Sequence, residues 1–86
     1  IHPSLLPKYS GGMNTDVHAA VLKNKETVTG CTLHYVTDQL DGGPIYSQEE
    51  VPVLSDDTPD TLRIRVQAAE QKLLLRAVRE LAAQPS

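Results

Sequence analysis

Two segments of this 86-residue chain carry side chains suited to acid–base chemistry. His2 lies between an apolar residue and Pro3, and Asp41 precedes the run Gly42-Gly43-Pro44. An ionised carboxylate within about 4–6 Å of an imidazole raises the pKa of the histidine, so that the pair can hold a proton near neutrality. Such a pair can donate this proton to a developing oxyanion, as acyl transfer requires. The alternative is a turn aspartate that bonds only its own backbone.

The other chemically interesting residues carry weaker signals. His18 falls on a predicted short helix, where we expect a surface or packing role. His34 falls on a predicted strand, where it is either a core histidine or a group that supports the site. No two histidines stand three or four residues apart, so the HxxxH-type spacing of metal sites is absent and we expect no metal. The glycine pairs do not match a phosphate-binding loop.

Composition limits the possible functions. The hydrophobic fraction is 40%, but there is no Trp or Phe and there are only three Tyr, which predicts a thin aliphatic core that needs a further part to pack on. A net charge of −3 with scattered basic residues argues against a nucleic-acid partner. No apolar run approaches the ~18 residues that span a bilayer, so we expect no membrane partner. Cys31, the only cysteine, suits a reducing compartment, and we expect a cytoplasmic protein.

The elements that would position these groups follow from the pattern. Residues 3–14 are predicted as loop, because Pro3, Pro7 and Gly11-Gly12 interrupt regular structure. A short helix over about 17–24 follows, capped by Thr15 or Asp16. Its inward residues are Val17, Ala20, Val21 and Leu22.

Two strands are predicted next, over 29–36 and about 44–54, joined by a polar loop at 37–43. We expect an antiparallel pair. Both faces of the first strand are mostly apolar, so it should be covered on both sides. The second has the polar centre Ser47-Gln48-Glu49-Glu50 and should be an edge strand.

A long amphipathic helix of about 24 residues is predicted to begin at Pro59. Thr58 can cap it, and Asp60 complements the positive end of the helix dipole. Apolar residues recur every three or four positions and are expected to form one inward face. These residues are Leu62, Val66, Ala69, Leu73, Ala77 and Leu81.

Three segments together resemble one enzyme family. They are Ile1-His2-Pro3-Ser4-Leu5-Leu6-Pro7-Lys8-Tyr9, then Gly30-Cys31-Thr32-Leu33-His34-Tyr35-Val36-Thr37-Asp38, then Leu40-Asp41-Gly42-Gly43-Pro44-Ile45 with Gln48. In order and spacing they resemble the phosphoribosylglycinamide formyltransferases (glycinamide ribonucleotide transformylases), within the folate-dependent formyltransferases. The resemblance implies an α/β fold, of which this chain is the C-terminal half: a strand pair, a short helix and a long C-terminal helix, with the sheet completed by an N-terminal half.

The resemblance also implies a reaction, the transfer of a formyl group from 10-formyltetrahydrofolate to the amine of glycinamide ribonucleotide in purine biosynthesis. In that family His2 matches the catalytic histidine, and Asp41 matches the aspartate that raises its pKa. Gln67 and Glu70 match positions that contact the ribonucleotide, and His34 matches a supporting histidine. The loop that would wrap the folate is Thr37, Asp38, Gln39, Leu40 and Asp41.

Two departures from the family pattern affect these expectations. The family has an Asn just before the position of Ile1, together with an N-terminal nucleotide-binding half. We therefore expect residues 1–86 to be the C-terminal portion of one formyltransferase domain and to be inactive in isolation. Residues 10–16 also depart from the family, with Asp16 at a family histidine position.

Other functions stay open at this point. The chain could belong to an enzyme that uses the same folate with water as acceptor, that is, a deformylase. It could also belong to a formyltransferase for a different amine. A third possibility is a non-catalytic interaction module that presents the face from Leu62 to Leu81 to a partner; because amphipathic helices with this spacing are usually core, we rank it last.

Overall fold

The computed structural model describes residues 1–6, 8, 9, 15–34 and 45–83. For residues 15, 16, 45 and 46 it describes the backbone only. The elements follow in the order α1 (Thr15–Lys23), β1 (Val28–His34), β2 (Ile45–Pro52) and α2 (Pro59–Ala83). The α/β class and the order of elements match the prediction. The predicted strand ends at 35, 36 and 44 lie outside the described residues.

Helix α1 begins two residues before the predicted start and ends in a turn that closes it firmly. Lys25 has a φ of 55° and therefore lies in the left-handed region. Its N–H donates to the carbonyl of Leu22 at 3.1 Å, and the N–H of Glu26 donates to Val21 at 3.2 Å. This pair of bonds is a Schellman motif, which satisfies the last carbonyls of the helix. Glycine normally occupies the left-handed position, and lysine occupies it here.

The two strands form the expected antiparallel pair, with Thr32 opposite Gln48 and an irregularity in register between Leu33 and His34. On the other side of β1, His2 forms an isolated antiparallel bridge with Thr32. Among the described residues, β2 therefore borders β1 alone and is an edge, as predicted, while β1 has neighbours on both sides. Buried residues occupy both faces of β1, which agrees with the prediction that it is covered on both sides.

Helix α2 begins where predicted. The N–H of Thr61 donates to the hydroxyl of Thr58 at 3.2 Å, so Thr58 caps the helix. Just before it, the carboxylate of Asp57 accepts the N–H of Leu54 at 2.7 Å and the hydroxyl of Thr61 at 2.8 Å, and it pairs with Arg65. These bonds tie the end of the sheet to the first turns of α2.

One face of α2 lies against the sheet and α1 and forms the core. The buried cluster consists of Val17, Val21, Cys31, Val51, Leu62, Val66, Ala69 and Leu73. The prediction that Leu81 belongs to this face is wrong, since Leu81 is 50% exposed and Ala77 is the last buried residue of α2. The reason is length: 25 helical residues span about 37 Å, whereas strands of 7 and 8 residues span about 25 Å.

The same packing bears on the interaction-module hypothesis. The face from Leu62 to Ala77 is occupied by the chain's own sheet and by α1, so it is not a free surface for a partner. Among the residues that the structure describes, no helix combines the length and the hydropathy needed to cross a bilayer.

Candidate active site

His2 is held beside the central strand by its main chain. Its N–H donates to the carbonyl of Thr32, and its carbonyl accepts the N–H of Thr32, both at 2.8 Å. The ring is half-buried, and its Nε2 lies 3.0 Å from the carbonyl oxygen of Tyr9. Because a carbonyl oxygen can only accept, Nε2 carries the hydrogen in this bond. Nδ1 is therefore the ring nitrogen left to exchange a proton with a substrate.

The segment after His2 folds into a compact turn that returns to the imidazole. Ser4, which is fully buried, donates its hydroxyl hydrogen to the carbonyl of Lys8 at 2.6 Å. The N–H of Lys8 donates to the carbonyl of Leu5 at 3.1 Å. Tyr9 follows with a φ of 59°, in the left-handed region that a large side chain seldom adopts. In this conformation the carbonyl of Tyr9 lies at hydrogen-bonding distance from the His2 ring.

The ring of Tyr9 is anchored at its far end. Its hydroxyl donates to Glu26 Oε2 at 3.0 Å and accepts a hydrogen from the side-chain amide of Asn24 at 2.9 Å. The bonds from Tyr9 and then Lys8 hold the pKa of the Glu26 carboxyl below its ordinary value. The connection between α1 and β1 thus fixes the residue whose carbonyl contacts His2.

The hydroxyl of Thr32 ties this turn to β1. It donates to the carbonyl of Ser4 at 2.7 Å and accepts the N–H of Leu6 at 3.0 Å. The side-chain amide of Gln48 donates to the same hydroxyl at 3.0 Å and to the carbonyl of Leu6 at 3.1 Å. No role for Thr32 or Gln48 was predicted from the sequence. The available signal was a threonine in the middle of a mostly apolar strand.

Gly30 lets the main chain of β2 approach β1 closely. A Cβ added to Gly30 would overlap the main-chain carbonyl of Glu49 and would also lie 2.8 Å from Cδ2 of Leu5 in the turn. A glycine is therefore required by close contact here, and no positive φ is involved.

Glu70 lies on α2, and its carboxyl interacts electrostatically with His2. Burial raises the pKa of this carboxyl, and the positive charge of His2 acts against the rise. This interaction puts Glu70, a candidate ribonucleotide-binding residue, in the same region of the molecule as the candidate catalytic histidine. Gln67, one turn earlier, is exposed and accepts a hydrogen bond from Arg63 at 3.4 Å. The structure therefore gives Glu70 an electrostatic interaction with His2 and leaves the Gln67 side chain exposed to solvent.

Cys31 lies on the core side of β1 and is fully buried. Burial, with the negative charges of Glu70 and Glu49, raises the pKa of its thiol to about 11. A thiol that stays protonated is a poor nucleophile, so Cys31 is a packing residue.

The remaining predicted residues fall into two groups. His34 is half-buried at the end of β1, two residues after Thr32 and therefore on the same side of the strand. The folate-loop residues lie outside the described residues, so the pairing of His2 with Asp41 stays a prediction. These loop residues are Thr37, Asp38, Gln39, Leu40 and Asp41.

His18 packs between the helices, as expected of a structural histidine. It is 4% exposed, and its Nδ1 has no hydrogen-bond partner within the described part of the chain. Burial, and then the positive charge of Arg63, lowers its pKa, so the neutral ring is favoured. Over those same described ranges, no group of three or more His, Cys, Asp or Glu residues could hold a metal ion.

Comparison with known proteins gives the family. The model of the family described as "Formyl transferase" matches residues 1–78, and the chain belongs to that family. It is 46% identical over 82 residues to the bovine (Bos taurus) trifunctional purine biosynthetic protein adenosine-3, covering 95% of this chain and 8% of that protein. It is 45% identical over 73 residues to phosphoribosylglycinamide formyltransferase of Escherichia coli, covering 85% of this chain and 33% of that protein.

A solved structure agrees with the fold. The crystal structure of phosphoribosylglycinamide formyltransferase from Brucella melitensis matches with a TM-score of 0.83 and 42% identity, over 99% of this chain and 42% of that one. A methionyl-tRNA formyltransferase of Geobacillus is also similar, with 41% identity over 83 residues and coverage of 25% of that protein. The chain thus spans less than half the length of each of these proteins.

Proposed function

We propose that this chain is the C-terminal part of a phosphoribosylglycinamide formyltransferase domain. The polypeptide that carries it transfers the formyl group of 10-formyltetrahydrofolate to the amine of glycinamide ribonucleotide, in purine biosynthesis. The observation that carries the proposal is the family match over residues 1–78, which includes His2 at its start. The lone, buried Cys31 suits the reducing cytoplasm in which we place this enzyme.

His2 supplies the acid–base chemistry in this proposal. The substrate amine attacks the formyl carbon, and the formyl oxygen gains negative charge as the tetrahedral intermediate forms. Since Nε2 of His2 is occupied by the Tyr9 carbonyl, Nδ1 is the atom that donates to this oxygen. Asp41 keeps the imidazole protonated. As the intermediate collapses, the oxygen returns its proton to Nδ1 of His2 and the carbonyl re-forms. The bond from carbon to the folate nitrogen breaks, and the amine proton passes to that nitrogen.

Two groups of residues hold the substrates. Glu70 and Gln67 contact the ribonucleotide, and the electrostatic interaction of Glu70 with His2 supports this role. Residues 37–41 wrap the folate, and His34 supports the site from the end of β1. No metal takes part.

The isolated chain should be inactive, because the catalytic Asn and the phosphate-binding half belong to a preceding part of the domain. Three features support this proposal: the chain spans 33% of the Escherichia coli relative, its core is thin, and His2 pairs with the open side of β1. Turnover by the isolated 86 residues at the rate of a whole enzyme would refute it.

Two substitutions test the function in the intact parent polypeptide. His2→Ala removes the oxyanion donor, which typically costs on the order of 10²–10³ in rate. Asp41→Asn should also reduce turnover strongly while leaving the fold unchanged. Asp56→Asn is the matched control, since Asp56 is an exposed aspartate in the turn before α2. Near-normal turnover by His2→Ala or Asp41→Asn would show that the mechanism is wrong.

A different amine acceptor is the second candidate, favoured by the similarity to a methionyl-tRNA formyltransferase. Glu70→Ala separates the two. If glycinamide ribonucleotide is the acceptor, its KM should rise while the KM for the folate stays constant. An unchanged KM for glycinamide ribonucleotide would favour another amine. Release of free formate in the absence of any amine acceptor would indicate a deformylase, which uses water.

A further inference from the structure

Thr32 is fully buried, and each of its polar atoms forms a hydrogen bond with the segment that carries His2. Its N–H and carbonyl bond the main chain of His2 at 2.8 Å each. Its hydroxyl bonds the carbonyl of Ser4 and the N–H of Leu6, at 2.7 and 3.0 Å. We propose that Thr32 is a positioning residue that sets the location of the His2 imidazole, with Gln48 as its support. The inference rests on the proposed function, because it affects catalysis only if His2 acts on the substrate.

Thr32 reaches His2 by two routes. The first is direct, through the main-chain pair, which fixes the Cα of His2 against β1. The second runs through the turn: the hydroxyl holds Ser4 and Leu6, Ser4 holds the carbonyl of Lys8, and the next residue places its carbonyl on Nε2 of His2. One buried side chain therefore constrains both the backbone of His2 and the acceptor that orients its ring.

Gln48 completes the hydrogen bonds of the Thr32 hydroxyl. A hydroxyl has one hydrogen to donate, and Gln48 and the N–H of Leu6 both donate to this oxygen. Its own hydrogen must therefore be directed to the carbonyl of Ser4. Gln48 uses its second amide hydrogen on the carbonyl of Leu6. Since Gln48 is exposed on the edge strand, it contributes through these bonds and hardly through packing.

The effect on catalysis follows from the geometry. Thr32→Val keeps the shape of the side chain but leaves the N–H of Leu6 and the carbonyl of Ser4 without their partner. A displacement of the imidazole by about 1 Å is enough to reduce turnover roughly 100-fold. We expect kcat to fall by about 10- to 100-fold, with KM changing by less than about twofold, since the residue touches neither substrate.

The experiment uses the intact parent polypeptide with glycinamide ribonucleotide and 10-formyltetrahydrofolate. Steady-state kinetics are measured for Thr32→Val and Thr32→Ser, and each variant's fraction folded is measured under the same conditions. Gln48→Leu is the second variant, for the case in which Thr32→Val does not fold. Gln71→Leu is its control, because Gln71 is an exposed glutamine on α2. Thr32→Val and Gln48→Leu are also made in the His2→Ala background, where residual turnover is measured at high enzyme concentration.

The proposal is supported if Thr32→Val or Gln48→Leu lowers kcat while Thr32→Ser retains most of the parent kcat. In the His2→Ala background, neither Thr32→Val nor Gln48→Leu should lower the residual turnover further. A merely structural role would lower the residual turnover in the His2→Ala background by the same factor, and that result would overturn the proposal. The proposal would also be overturned if Thr32→Val, or Gln48→Leu where Thr32→Val does not fold, had normal turnover while His2→Ala was inactive. That result would leave the proposed function standing. Near-normal turnover by His2→Ala itself would instead refute the proposed function.

Discussion

Three consecutive leucines on α2 allow the packing of the core to be tested with one chemical change. Leu73 has no exposed surface, whereas Leu75 is 52% exposed. Replacing either by alanine removes the same three carbon atoms. The free energy of unfolding should therefore respond to position alone, because the difference in helix propensity between leucine and alanine is the same at both sites.

The structure gives the size of the difference. At Leu73 the lost transfer free energy is roughly 2.4 kcal/mol, at about 0.8 kcal/mol per carbon, and the unfilled cavity brings the total to about 3–4 kcal/mol. At Leu75 about half of the transfer term applies and no cavity forms, so the cost is about 1 kcal/mol. The two variants should thus differ by about 2–3 kcal/mol, or roughly 30- to 150-fold in the unfolding equilibrium.

Urea titrations followed by far-UV circular dichroism measure this difference. The dependence of the unfolding free energy on urea should stay the same in both variants, so that the midpoints report stability directly. Equal midpoints for the two variants, or a lower midpoint for Leu75→Ala, would show that the face from Leu62 to Ala77 is not the core of the folded protein.

Three other predictions concern the ends of the helices and the site. Lys25→Gly should stabilise the fold by about 1 kcal/mol in thermal denaturation, because glycine adopts the left-handed conformation without strain; a lower melting temperature would contradict the assignment. The pKa of the Asp57 carboxyl is lowered by the bond from the N–H of Leu54 and then by the bonds from Thr61 and Arg65. Asp57 therefore stabilises the fold above the ordinary carboxyl pKa, and this stabilisation is lost as the pH falls through the lower pKa of the folded state. In urea titrations across that range, Asp57→Asn should have a flatter pH dependence than the parent. Burial raises the pKa of the Glu70 carboxyl, so the parent should lose stability as the pH rises from the ordinary carboxyl pKa to the raised one. Glu70→Gln should not show this loss, and its KM for glycinamide ribonucleotide should be higher. Parallel curves of stability against pH for the two proteins would refute the pKa prediction.

The sequence predicted the elements well where local physics decides them. Helix α2 was placed at Pro59 because a cap, a first-turn proline and a regular apolar spacing agree there, and each acts over a few residues. The same local rules could not exclude Leu81 from the core, because the spacing continues past the point at which the sheet ends beneath the helix. The three segments that contain His2, Thr32 and Asp41 were together sufficient to indicate the family.

What the sequence left undecided was how the site is held. The His2 bonds to the main chain of Thr32, the electrostatic interaction of Glu70 with His2, and the bond from Gln48 to a buried hydroxyl all join residues 16 to 68 positions apart in the chain. No periodicity or local propensity encodes such contacts, since they arise only when the sheet pairs and α2 packs across it. The residue types proposed to carry out the chemistry are therefore readable from the chain, whereas the hydrogen bonds that hold His2 exist only in the packed structure.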